Sequence, residues 1–256
     1  MKKVLILFTF VGLIYACSGD DSVNNTDNEV NVFNNRQTTG SSANDILSDT
    51  KFTSIVVELV YVEGFEPTQT AVNNFVSFLA SRVHKPNGIR VEKRAFPSLG
   101  QDIYEIEEIA DIERNERQHY NIGDELAIWA YFSDGKSDND EGNSFVLGTA
   151  YWNTSFVIFQ ETLESLSNSP TEPNRSVLES TVINHEFGHI LGLTNSGTPL
   201  QSDHEDEENP GHCDVESCLM FWESELNSAV GNIMGTGLAP ELDAQCIADL
   251  QANGGK

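Results

Sequence analysis

The chain has 256 residues and carries 40 acidic against 14 basic side chains, a formal net charge of −26. A surface of that sign repels phosphate backbones and anionic headgroups, so nucleic acid is excluded as a partner and charge cannot be what holds the chain to a membrane. No internal repeat is visible, and the length beyond the first fifty residues suffices for one domain with its own core.

The chain opens with a targeting pattern over residues 1–16. Lys2 and Lys3 give a positive start, Val4 to Tyr15 is apolar, and Ala16-Cys17 follows. The small residue before Cys17 resembles a bacterial lipobox, which implies that Cys17 is lipidated and anchors the mature protein to the outer membrane or cell surface. Ser18-Gly19-Asp20-Asp21 resembles the acidic export signals of Bacteroidetes-type surface lipoproteins. An ordinary secretory signal is the alternative; the apolar run is short for a membrane-spanning anchor. Residues 17–50 are rich in Asn, Asp, Ser and Thr and poor in large apolar side chains, so a flexible tether is expected there.

From residue 51 the pattern is that of a folded domain reaching to residue 256. Ile55 to Val62 is β-branched and apolar, as a strand buried on both faces should be. Val72, Phe75, Val76, Leu79 and Val83 recur at helical spacing, and Pro86-Asn87-Gly88 breaks the run. Ile89, Val91 and Ala95 predict a second strand, and Ile103, Ile106, Ile109 and Ala110 a second helix. Leu126 to Phe132 predicts a third strand, and strand-helix alternation of this kind points to an α/β layer with parallel strands. In the following loop, Asp138-Asn139-Asp140-Glu141-Gly142 has alternating oxygens that suit a calcium ion or a solvated turn. Phe145 to Trp152 and Ser155 to Phe159 are two further strand-like runs.

Next comes Thr181-Val182-Ile183-Asn184-His185-Glu186-Phe187-Gly188-His189-Ile190-Leu191-Gly192-Leu193, a His-Glu-x-x-His motif in a helical pattern. Ser176 to Glu179 has capping-box spacing, Gly192 supplies a stop, and Val182, Phe187, Ile190 and Leu191 anchor the helix in a core. Residues four apart share a helix face, so His185 and His189 present two imidazoles to one zinc ion with Glu186 beside it. Catalytic zinc usually keeps three protein ligands, and His204 and His212 are the candidates for the third. His84 and His119 are expected to be structural.

The strands before the motif and the motif itself resemble the zincin metallopeptidases of the metzincin clan. That resemblance implies an α/β (α+β) zincin-like fold: a mixed twisted sheet with backing helices, an active-site helix and a small C-terminal subdomain. It also implies an edge strand that pairs with substrate, and Gly148 to Trp152 holds that place by order. The clan's third histidine position is occupied by Asn195. Further on, Gly211-His212-Cys213-Asp214-Val215-Glu216-Ser217-Cys218-Leu219-Met220 resembles the signature of archaemetzincins. On that likeness His212 is the third ligand in preference to His204, Met220 is the Met-turn methionine with Met234 as runner-up, and Thr194 to Pro210 is an acidic insertion. Archaemetzincins carry a second, structural zinc on four cysteines. Here Cys213, Cys218 and Cys246 are present with Asp249 in the fourth place. In an exported protein one disulfide among the three is expected, with a second zinc as the alternative.

The expected protein is a monomeric, membrane-anchored zinc endopeptidase acting on peptide or protein substrates. Its zinc sits on His185, His189 and His212, and Glu186 is the general base. Two other classes stay open: a non-catalytic binding protein with the same fold, and a zinc hydrolase of a non-peptide bond.

Overall fold

The computed structural model of the protein describes residues 30–169, 172–230, 233 and 237–256. The expected targeting segment, Cys17, the first part of the expected tether and Met234 lie outside the described residues.

The tether does not extend through residues 30–50. A 3₁₀ turn over Val32–Asn35 and helix α1 (Ala43–Leu47) pack on the domain, with Asn35, Ile46 and Leu47 fully buried. Asn35 donates through Nδ2 to Asn121 Oδ1 at 2.9 Å and to Ala127 O at 3.1 Å, and accepts from the Asn121 N–H at 3.0 Å. Composition forecasts order from apolar area. It misses asparagines that are ordered by hydrogen-bonding to backbone groups inside the fold.

In chain order, β1 (Ser54–Val62) leads through α2 (Gln69–Arg82) to β2 (Ile89–Phe96), and β3 (Ile103–Tyr104) and α3 (Ile106–Glu116) lead to β4 (Glu125–Ser133). Then come β5 (Lys136–Ser137), β6 (Gly148–Trp152), β7 (Ser155–Phe159), α4 (Gln160–Ser165), α5 (Arg175–Ile190) and α6 (Ala244–Ala252). The main sheet has the order β2-β1-β4-β7-β6. Its first four members are mutually parallel, and β6 lies antiparallel to β7 at the edge.

Both faces of this sheet are covered, which is why β1 and β4 read as continuous apolar runs. On one face Val57, Leu59, Ile128 and Phe132 meet α2 and α5. Phe75 of α2 touches Phe187 of α5 edge to face at 5.2 Å between ring centroids and Phe156 of β7 at 6.0 Å, so one aromatic cluster locks the motif helix to the sheet. On the other face Val60, Val62, Trp129 and Tyr131 meet Ile109 and Ile112 of α3. Glu58, a carboxylate inside β1, is kept there by Arg94 at 3.0 Å and by the N–H groups of Gln118 and His119, each at 2.9 Å.

Two boundaries differ from the sequence reading. Ile103 is exposed in the two-residue β3, and the second helix begins at Ile106, where the Glu108 side chain accepts from the Glu105 N–H. At α5 the cap is Asn174, whose Oδ1 accepts from the Ser176 N–H at 3.0 Å. Glu179 turns inward instead, where it accepts from Gln160 Nε2 at 2.7 Å and Arg175 Nε at 2.8 Å. Past α5 the described residues form a smaller subdomain, mainly loops with a 3₁₀ turn at Trp222–Glu225 and α6. No helix among the described residues is long and apolar enough to cross a membrane.

Candidate metal centre

Helix α5 presents His185 and His189 one turn apart, with their Nε2 atoms 3.1 Å from each other. His185 is fully buried, and its Nδ1 donates to Leu219 O at 2.7 Å. A carbonyl can only accept, so that bond fixes the tautomer and leaves the Nε2 lone pair facing its neighbours. Gly188 lies between the two histidines. A Cβ there would collide with Met220 Sδ, so the buried Met220 occupies the room the missing side chain leaves.

The helix stops at Gly192, whose φ of +69° is followed by positive φ at Thr194 and Asn195. Asn195, at the position of the clan's third histidine, faces outward and reaches Glu205 Oε2 at 3.3 Å. The acidic insertion then makes a closed excursion. Thr194 at its start hydrogen-bonds through Oγ1 to Gly211 O at its end, and Gly211 N donates to Glu205 Oε1 at 3.0 Å. His212 thereby returns to the helix. Its ring centroid is 5.3 Å from that of His185 and 4.9 Å from that of His189. Both of its ring nitrogens are shielded from solvent and make no hydrogen bond.

A fourth residue joins them that the sequence did not single out. Glu225, on the 3₁₀ turn, places Oε2 3.8 Å from Nε2 of both His185 and His189, and Oε1 3.6 Å from His212 Nε2. These four groups lie within 4.8 Å of one another. Burial opposes the charge on Glu225, yet the His212 contact and the His185 and His189 rings hold its carboxyl down to about 2. Burial pushes His185 down to about 4 and His189 well below the ordinary histidine range, so both are neutral and able to donate a lone pair near pH 7.

Glu186 is fully buried, and neither carboxylate oxygen has a hydrogen-bond partner within the protein. Burial first, then the charge of Glu225, raises its carboxyl well above the usual range, while the nearby Ala150 N–H pulls the other way. Gly148 of the edge strand makes space for it, since a Cβ there would come within 2.8 Å of Glu186 Oε1. The carboxylate opens with His189, His212 and Glu225 into a cleft of about 460 Å³, bounded by Thr149 and Ala150 of β6 and by Thr39. Three convergent imidazoles, the shielded His212 nitrogens without partners and a carboxylate fit a zinc ion by donor type and number.

His204 is elsewhere. It is buried with Cys213, Asp243 and Cys246 in a second convergent group. Its Nε2 donates to Asp249 Oδ2 at 2.8 Å, and its Nδ1 is 3.5 Å from Cys213 Sγ. Cys213, Cys218 and Cys246 are free thiols, correcting the expected disulfide. Cys218 and Cys246 are the near pair, and their sulfurs stand 3.7 Å apart, against about 2.05 Å in a bond. Hydrogen bonds toward Cys218 from Cys213 first, then Cys246, hold that sulfur down to about 3. Asp249 does not point at the sulfurs; its other oxygen accepts from Gln201 N at 2.7 Å. In the 138–142 turn Asp140 Oδ1 accepts from Val146 N at 2.9 Å, a structural use of one of the oxygens considered for calcium. His84 is exposed, and His119 pairs with Glu92 at 2.8 Å, both remote from the motif.

The chain matches no protein-family model and no curated protein. Among solved structures it is similar to archaemetzincin from Methanopyrus kandleri, at 18% identity and a TM-score of 0.53 over 78% of this chain and 96% of that one. It also superposes on metalloproteinase-II from Bacteroides fragilis, at 14% identity and a TM-score of 0.42 over 90% of this chain and 58% of that one. The first likeness shows the fold to be archaemetzincin-like, with the mixed sheet and backing helices the sequence led us to expect.

Proposed function

We propose that the protein is a zinc-dependent endopeptidase. One observation carries this reading: His185, His189 and His212 converge beside the partnerless carboxylate of Glu186, in a cleft that opens along the free edge of β6. The three imidazoles would hold the ion, and zinc bound there supplies a Lewis acid that acidifies water and polarises a carbonyl. Glu186 accepts the proton of the attacking water at its carboxylate and returns it to the leaving nitrogen. Its desolvated position suits both halves of that task, because burial raises its proton affinity from that of an ordinary carboxylate. The edge of β6 binds an extended peptide through backbone N–H and C=O groups, which gives affinity with little demand on side chains. Its position at the sheet margin supports that role.

The second convergent group supports a second, structural zinc on His204, Cys213 and Cys246. Asp243 completes the convergent group, since its Oδ1 caps α6 through Cys246 N at 2.8 Å while its Oδ2 faces Cys213 Sγ at 3.6 Å, and Cys218 stands beside Cys246 as the softer alternative. Asp249 would orient His204 from behind. The leader pattern supports a monomer anchored through lipidated Cys17 at the outer membrane or cell surface, with peptide as the partner.

The test is turnover of an unfolded protein by the purified chain with and without a chelator, beside Glu186→Gln. Hydrolysis is expected to need metal and to vanish in Glu186→Gln while zinc content is unchanged. Full activity in that variant sinks the role of Glu186. A zinc-loaded wild type that cleaves no peptide moves the reading to a binding protein or to a hydrolase of another bond.

A further inference from the structure

Glu225 has no part in the proton transfers assigned to Glu186, yet it is the acidic group facing all three imidazoles. Its backbone is held firmly. Leu147 N donates to Glu225 O at 2.8 Å, Asn227 N to Phe145 O at 3.0 Å, and Phe145 N to Asn227 Oδ1 at 3.0 Å, with Val146 and Leu226 bridged between them. The end of the 3₁₀ turn is thus tied by an isolated antiparallel bridge to the residues leading into β6, and this aims the carboxylate across the cleft.

The distances are those of a ligand set. Zinc–ligand bonds of about 2.0–2.1 Å in a tetrahedron put neighbouring donor atoms about 3.3–3.4 Å apart. The pair of helix nitrogens is at 3.1 Å, and the three Glu225 contacts are at 3.6–3.8 Å.

We infer that Glu225 is a fourth protein ligand that closes the metal centre at rest, so that water or substrate gains the metal only when the Glu225 carboxylate gives way. Structural zinc sites are closed by four protein ligands and catalytic ones keep a position open. This centre is of the first kind at rest and becomes the second by displacement of one side chain. An extended peptide lying along β6 enters the cleft that Glu225 lines, and is the natural agent of that displacement. The ligand assignment stands on the four residues alone. The gating role rests on the peptidase reading.

The experiment compares the full chain with Glu225→Gln, and with Glu223→Gln on the same turn as a control. Zinc affinity is read by chelator competition and coordination by the visible spectrum after cobalt substitution. We expect Glu225→Gln to bind zinc roughly tenfold or more weakly, about 1.4 kcal/mol per factor of ten. Its cobalt bands should shift, and acetohydroxamate should perturb them at lower concentration than in the wild type. Glu223→Gln should match the wild type throughout. Equal zinc affinity and identical cobalt bands in Glu225→Gln overturn the inference and leave the peptidase reading untouched. Weakened affinity and shifted bands, with no peptide cleavage by any form, uphold Glu225 as a ligand while removing the peptidase reading.

Discussion

Thr194, two residues past the glycine that ends the motif helix, hydrogen-bonds through its hydroxyl to the carbonyl of Gly211, the residue before His212. The bond closes the acidic insertion at its neck, so His212 arrives at the helix whatever lies between. Thr194→Val keeps the β-branched shape at a positive φ that already strains threonine, and removes only the hydroxyl. Zinc should bind about tenfold more weakly, as when a supporting partner of a ligand is lost. Calorimetric titration of the apoprotein measures this, and unchanged affinity would show that His212 is placed by other contacts.

Gly188→Ala sets two effects against each other. Alanine gains about 1 kcal/mol over glycine in a helix interior. Its methyl would meet Met220 Sδ, however, and Met220 is fully buried. Overpacking of this kind costs about 1–3 kcal/mol, so a net loss is expected. In a domain of this size that lowers Tm by about 2–4 °C per kcal/mol. A calorimetric Tm at or above the wild-type value would mean that Met220 yields freely.

The metal-free protein should weaken as it is acidified. His185 is held down to about 4 by burial, from an ordinary 6.5. Between those values the unfolded chain binds the proton and the folded one does not, so stability falls as pH drops from about 6.5 to 4 and then levels. The full effect from this one residue is on the order of 3 kcal/mol. Urea denaturation of the apoprotein across that window should show the slope, and His185→Gln should flatten it.

Asp249→Ala takes the acceptor from the buried His204 Nε2 and from the N–H of Gln201, an exposed residue. Leaving the buried His204 N–H without an acceptor costs about 1–3 kcal/mol. If His204 is a ligand of a structural ion, elemental analysis should fall from two zinc per chain toward one, with the helix site still filled. Two zinc retained in the variant would leave Asp249 a purely structural acid.

The helix pair and the strands of the sheet were legible because both obey short-range rules, whereas the edge position of Gly148–Trp152 came only from the family resemblance. Histidines four apart share a face in any helix, and a β-branched run beside turn residues is a strand wherever it sits. Glu225 was not legible. It lies thirteen positions beyond His212 among other acids, and only the pairing of 225–227 with 145–147 turns it toward the imidazoles. The thiol cluster was misread for a related reason. Redox habit argued for a disulfide, while the fourth donor, His204, sat in a stretch whose composition suggested solvent. Asn35 shows the limit of composition most plainly, since an amide can be ordered by what it bonds to as firmly as a leucine is by what it covers.

The edge of β6 is bracketed. At one end Leu147 N is already taken by Glu225 O, and at the other Asn153 N donates to Gln37 O at 3.0 Å. Exposed sheet margins invite identical chains to zip together, and a long flat one is a route to fibres. Here only the five residues of Gly148–Trp152 are left between the brackets. The two flanking segments therefore shorten the margin along which a second copy could pair, a safeguard written into the loops rather than into the strand itself.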